Sequence, residues 1–453
     1  MLTVALLAIA FASVQLDGFP FVKQKPDFCG EADVEMAMRR LHHEVTQDQV
    51  FALADVDPTK GRGAVTNELA AALRALGSDP GPVWFHPKSA SDIDAQFAAL
   101  HADLAAGTPS IVCMHYSDEP HTTEHFRLIT GYDADTDEVV YQEPAEDNGA
   151  GRRMKRALFV KLWTFHPSAT RNTMIRLRVP APEVPPSIAP ESAPTKADAV
   201  QHVMQMKDDG MLPASMTLAW EKPFLVVGDE GAAQVRERAK GLVRWTRDLL
   251  LKDFFDAAPS TLQEVWILKD ADSYVHTSKT LFKNTPDTPY GYYLSGRRAL
   301  IMNIKPGYGT LTHELVHPFF DEAWGEPPAW MNEGVASLFE RPAEKAGHLV
   351  GKVNWRLPGL LDGLKRDDAP SFHDLVHFTT DEFYDDDTGV HYAEARYLCY
   401  WLQERGLLSK VVRRAHELRA KDPTGWSALT EVLGKDPDAF RAEWETYVKG
   451  LTS

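Results

Sequence analysis

A chain of 453 residues is long for one domain and favours two or three. Hydrophobic residues at 44% and charged residues at 25% exclude wholesale disorder, and 48 Lys plus Arg against 65 Asp plus Glu, a net charge of −17, argue against a nucleic-acid binder. Cys29, Cys113 and Cys399 are odd in number and far apart, which excludes a disulfide scaffold and a structural zinc knuckle.

The chain opens on an uncharged apolar run, Leu2 to Ala12. It is shorter than the roughly 20 residues a bilayer span needs, and it fits the apolar region of a signal peptide with Ala10-Phe11-Ala12 as the cleavage site. Residues 1–15 are therefore expected to be a signal peptide, and the protein to act outside the cytoplasm, secreted or periplasmic. The alternatives are a buried first strand and a cytoplasmic location. No later stretch reads as a membrane span, so no integral membrane segment is expected in the mature chain.

Residues 16–179 read as one unit. Val34, Ala37, Met38 and Leu41 repeat at helical spacing after Cys29, and helical segments follow near 47–54 and 66–76. Strand patterns come later, at 110–116, 126–131 and 138–142, with 132–137 as a turn. Helices followed by an antiparallel sheet is an α+β order. Residues 180–196 hold six prolines between 180 and 194 and predict an extended spacer. Residues 197–453 form the second unit, also α+β. Strands near 216–227 precede a long helix over 231–254, then strands at 265–269, 290–295 and 298–304, then helices almost to the end.

The second unit carries Thr312-His313-Glu314-Leu315-Val316-His317. Histidines at i and i+4 of a helix share a face and can bind one metal, while Glu314 beside them can accept a proton from the attacking water. Downstream, Trp330-Met331-Asn332-Glu333-Gly334 places a carboxylate on a second helix. Two histidines, a glutamate and one open position make a catalytic zinc set, whereas a structural site would be closed by four protein ligands. Pro318 must end or kink the metal helix.

These motifs resemble the gluzincin metallopeptidases of the thermolysin and aminopeptidase clan, closest to the peptidase MA-like group, over most of 215–450. The resemblance implies a zincin-like fold with Zn2+ held by His313, His317 and Glu333, Glu314 as general base and acid, and Tyr392 as the oxyanion donor. Where thermolysin has an aspartate one turn after the third ligand, this chain has Ser337. Asp321 and Glu340 are candidate partners for the ligand histidines. Substrate is expected to add as a strand along Ala299 to Asn303.

In the first unit, Cys29 opens a helix, whose positive end favours a thiolate. His125 begins a strand and Glu143 follows the next one, so a base and an orienting group are available. Gln24, just before the thiol, could donate to an oxyanion. The pattern Gln24…Cys29-Gly30, His125-Phe-Arg-Leu-Ile-Thr-Gly131-Tyr-Asp133, Glu143-Pro144 resembles the papain-like double-glycine leader peptidases over about 20–178. It implies Cys29 as nucleophile, His125 as base, Glu143 as orienter and Gln24 at the oxyanion hole, with Glu143 standing where the family has aspartate. Asp27, Glu31 and Asp33 around the thiol oppose its ionisation. His121-Thr-Thr-Glu124-His125 matches an inverted zinc motif, but it runs into a strand where that motif needs a helix. Cys113 and Cys399 read as small buried hydrophobes.

The expected function is an exported peptidase acting on peptide or protein substrates with a zinc-activated water, carrying a second, cysteine-peptidase-like domain. The alternatives are a zinc peptidase whose first domain only binds or anchors, and a non-catalytic envelope protein.

Overall fold

The computed structural model describes residues 11–168, 171–385 and 389–452. Residues 1–10, most of the expected signal peptide, lie outside them. Residues 11–15 are built into the first unit. Phe11 packs edge-on against Phe97 at 5.1 Å between centroids, and Val14–Gln15 pairs antiparallel with Gly131 and Tyr132. The folded chain therefore begins before the boundary at 15 that the sequence suggested.

The chain divides into two compact units, 1–209 and 210–453. In the first, described strands form an antiparallel sheet ordered Trp84–Phe85, Arg171–Arg178, Ser110–His115, Glu124–Asp133, Glu138–Gln142 and Arg152–Lys155, joined at its side by Val14–Gln15 and Phe165–Ser168. Period-two alternation gives the sheet two apolar faces. Ile111, Cys113, Phe126 and Leu128 pack in one core with the helices Cys29–Arg40, Gln47–Leu53 and Thr66–Ala75. Val112, Met114, Ile129 and Tyr141 pack in a second with Ala90–Ala105 and Arg156–Trp163.

The proline-rich stretch is tied down rather than free. Ser78 Oγ donates to the Pro180 carbonyl at 2.8 Å, and Ile188 packs on the first core. The helix Lys196–Asp208, expected to open the second unit, belongs to the first: Ala197 and Val200 enter that core and Lys207 Nζ donates to the Lys60 carbonyl at 2.6 Å. The boundary moves to 209/210 because this helix has an apolar stripe that the first unit covers.

The second unit has a mixed sheet ordered Gly291–Leu294, Ala299–Asn303, Gln263–Leu268, Phe224–Gly228 and Thr217–Glu221, followed by helices. The helix expected over 231–254 runs from Ala232 to Asp253 with a π-helical segment at Ala239–Arg244. A hairpin, Pro342–Lys345 with His348–Gly351, interrupts the helical part. Ala299–Asn303 is bonded on both sides, parallel to Gln263–Leu268 and antiparallel to Gly291–Leu294. It has no free edge, so substrate cannot add there; the outer strands are Gly291–Leu294 and Thr217–Glu221. No described helix is long and apolar enough to cross a membrane.

The helix carrying Glu333, Ala329–Leu338, packs against Val390–Glu404 in the core of this unit. A Cβ on Gly334 would lie 2.9 Å from both the Ala395 carbonyl oxygen and Cys399 Sγ. Overpacking so close a contact costs about 1–3 kcal/mol. Gly334→Val should therefore lower the unfolding temperature of the second unit in calorimetry; an unchanged transition would mean the helices separate without strain.

Candidate functional site

The metal motif begins on a short helix. Gly309–Glu314 stops, residues 315–316 form a turn, and His317–Trp324 continues. Pro318 explains the break: it has no N–H for the Glu314 carbonyl and its ring crowds that oxygen. The two imidazoles still meet, edge-on, with centroids 5.0 Å apart. Ala329–Leu338 supplies Glu333, and ligand atoms of His313, His317 and Glu333 lie within 4.8 Å of one another.

The surroundings orient each group. His317 Nδ1 donates to Asn332 Oδ1 at 2.9 Å, which turns Nε2 towards Glu333 and Glu314, 4.0 and 3.9 Å away. His313 presents Nε2 to Glu333 at 3.4 Å and Nδ1 towards Glu340 at 3.8 Å. Glu340 is itself clamped by Arg356 at 2.6 Å and by Asn354 at 2.8 Å. The Tyr384 hydroxyl donates to Glu333 Oε1 at 2.5 Å, while Glu333 Oε2 is buried without a hydrogen-bond partner. Burial raises the Glu333 carboxyl, but His317, His313 and Tyr384 outweigh it and hold it at about 2. Burial likewise lowers His313, but Glu333, with Glu314 and Glu340, raises it to about 9. Two imidazole nitrogens and a carboxylate with one orphaned buried oxygen fit a divalent metal such as zinc.

Asp321, a candidate partner for the ligand histidines, hydrogen-bonds neither; Asn332 holds His317 instead. Ser337 Oγ donates to the Glu333 carbonyl of its own helix at 2.5 Å and orients no ligand. Tyr392 packs against Tyr384 at 5.9 Å and under the Arg356 guanidinium at 5.1 Å. Burial and the Glu333 charge push its hydroxyl upward, so it stays a donor. Tyr384 carries no sequence motif, and only the fold brings it to Glu333.

In the first unit His125 and Glu143 are brought together. His125 Nε2 donates to Glu143 Oε1 at 2.5 Å, which leaves Nδ1 to receive a proton. Glu143 also accepts from Arg127 Nε at 2.5 Å, a residue the motif reading passed over. Burial raises Glu143, but the His125 hydrogen bond and the charges of His125 and Arg127 keep it below the usual range. Gln24 donates its backbone N–H to the Pro144 carbonyl at 3.0 Å, and its Oε1 is buried without a partner. Cys29 opens its helix, half-buried, and the Phe126 amide beside it favours the thiolate. Burial dominates, however, and with Asp33, Glu31 and Asp27 pushes the thiol up to about 12. Among the described residues no hydrogen bond joins Cys29 to His125. Cys113 and Cys399 are buried and unpaired.

Residues 16–166 match the sequence profile of the Peptidase_C39 like family. A similar solved structure is the peptidase domain of Streptococcus ComA, a bi-functional ABC transporter involved in a quorum-sensing pathway. It is 15% identical at a TM-score of 0.25 and covers 36% of this chain and 99% of its own. No curated protein matches the chain.

A thiol pushed up to about 12 should be alkylated by iodoacetamide at a rate that keeps rising with pH, without the plateau near neutrality of a preformed thiolate. Glu31 is raised to about 8, first by burial, so it becomes an anion beside the thiol only above that pH. Glu31→Gln should speed alkylation above about pH 8 and leave it unchanged below. A neutral-pH plateau in the wild type would contradict this.

Proposed function

We propose that the protein is a peptidase in which the second unit cleaves peptide bonds with zinc and the first is a papain-like cysteine-peptidase domain. The observation that carries the zinc reading is the convergence of His313, His317 and Glu333 ligand atoms within 4.8 Å, with Glu314 beside them. Zinc held by His313, His317 and Glu333 would supply a Lewis acid for the scissile carbonyl and for a water. Glu314 takes the proton of the attacking water and returns it to the leaving amine. Tyr392, kept protonated, donates to the carbonyl oxygen as charge develops on it. Asn332 and Tyr384 hold His317 and Glu333 in place.

The peptidase reading of the first unit is supported by its match to the Peptidase_C39 like family and by the His125–Glu143 pair. With the thiol resting protonated, His125 Nδ1 takes the proton as Cys29 Sγ attacks, and Glu143 stabilises the imidazolium at Nε2. A second reading, in which this domain binds peptides without cleaving them, is favoured by the same raised thiol.

Hydrolysis of a peptide mixture by wild type, Glu314→Gln and Cys29→Ala, with zinc content measured alongside, separates these readings. Glu314→Gln should keep roughly one zinc per chain and lose about 10²- to 10⁴-fold in activity at the metal site. Full activity in that variant would sink the zinc reading. Residual cleavage in Glu314→Gln should vanish when Cys29→Ala is added; no residual cleavage would favour the binding-only reading of the first unit.

A further inference from the structure

The Cys29 site contains a buried cation that neither the motif nor the family match assigns. Arg127 lies two residues after His125 on the same strand, so the two side chains share a face. Glu143 follows the neighbouring strand, where Gln142 is paired with Leu128. Arg127 is 4% exposed, and all three of its guanidinium nitrogens donate. Nε goes to Glu143 Oε2 at 2.5 Å, Nη1 to the His115 carbonyl at 3.3 Å and Nη2 to the Tyr116 carbonyl at 2.9 Å. The rings of Tyr116 and Tyr141 lie 5.3 and 5.5 Å from its carbon, and Tyr116 also meets His125 edge-on at 5.1 Å.

Both oxygens of Glu143 are engaged. Oε1 takes His125 Nε2 at 2.5 Å and the Ala145 amide at 3.2 Å, and Oε2 takes Arg127. The carboxylate is 1% exposed, and a buried anion needs such a partner. It has a rival as well. The Asp33 carboxyl, fully buried on the Cys29 helix, is pushed well above the usual range, first by burial and then by the Glu143 charge, while Arg127 draws it back. The helix contributes Glu31 and Asp33 on its buried side and Asp27 just before it, and among the described residues the charges paired with Glu143 are His125 and Arg127, both on the strand Glu124–Asp133. A glutamate also has one more rotatable bond than aspartate, and a second anchor fixes the extra freedom.

We propose that Arg127 is a positioning residue of the Cys29 site: by holding Glu143 Oε2 in a fixed ion pair it aims Oε1 at His125 and keeps the carboxylate charged inside the protein. The third member of the constellation is thus a Glu143–Arg127 couple. This rests on the reading of Cys29 as a working nucleophile, and the test separates the two.

The probe is p-nitrophenyl acetate, applied to the full chain in a Glu314→Gln background to silence the metal site. Cys29 Sγ forms a bond to the acetyl carbon, the bond to nitrophenolate breaks, and the thiol proton passes to His125. Nitrophenolate release and the mass of the Cys29 peptide report the rate across pH. Arg127→Met should slow acylation by up to about tenfold at pH values below the Glu143 pKa, the most that one pKa unit on that carboxyl can give. The deficit should shrink as pH rises, because Glu143 then ionises without its cation. Arg127→Lys keeps the charge and should leave the acid limb where wild type has it, and it covers the case in which the Met variant does not fold. A profile in Arg127→Met that superimposes on wild type overturns the proposal while the nucleophile reading stands. So does an equal slowing at every pH in both variants, which is what loss of packing alone would give. Absence of any Cys29 acylation in the parent chain overturns the nucleophile reading itself.

Discussion

An ionised carboxylate is tolerable inside a protein only when cations or hydrogen-bond donors surround it. The candidate site of each unit contains one such glutamate. Glu333, 5% exposed, is held between two histidines and the Tyr384 hydroxyl. Glu143, 1% exposed, is held between His125 and Arg127. In both, the groups that compensate the buried charge are the groups that chemistry would use or orient. The elements involved are well packed: the helix Ala329–Leu338 is buried at nine of its positions, and the strand Glu124–Asp133 at eight of ten.

The two glutamates differ in what remains unsatisfied. Around Glu143 both oxygens have partners, and the imbalance lies nearby, in Asp33 and in a thiol that burial and three carboxylates hold protonated. Around Glu333 one oxygen is buried without a partner, beside an imidazole nitrogen 3.4 Å away. A divalent metal would satisfy the second arrangement directly, whereas the first needs proton transfer to His125 before it can do nucleophilic work. That contrast is why the zinc reading leads and the thiol reading follows.

Contacts that depend on local periodicity were legible in the sequence. Helical spacing puts His313 and His317 on one face even though Pro318 breaks the helix between them, and the Cys29 helix spans Cys29–Arg40. The strand patterns at 110–116 and 138–142 correspond to Ser110–His115 and Glu138–Gln142. What escaped is long-range. Asn332 lies next to Glu333 in sequence, yet its partner His317 is fifteen residues away, and Tyr384 reaches Glu333 across fifty-one. Arg127 lies inside the His125–Asp133 motif, but a strand arginine reads as a solvated charge until its buried partner is known. The proline-rich stretch read as a spacer by composition, which cannot reveal that Ile188 packs on the core. Expecting Ala299–Asn303 to take a peptide failed for a similar reason, since nothing local says which strand of a sheet lies at its edge.

The claim on which most depends is that Glu333 and the two histidines form one metal site. X-ray absorption at the zinc edge of the full chain loaded with zinc reads those ligands directly. The account predicts two imidazole nitrogens and carboxylate or water oxygen at about 2.0–2.2 Å, with no sulfur. His313→Ala and Glu333→Ala should abolish that spectrum. A zinc–sulfur distance near 2.3 Å, which would implicate a cysteine, or an unchanged spectrum in both variants, would contradict it.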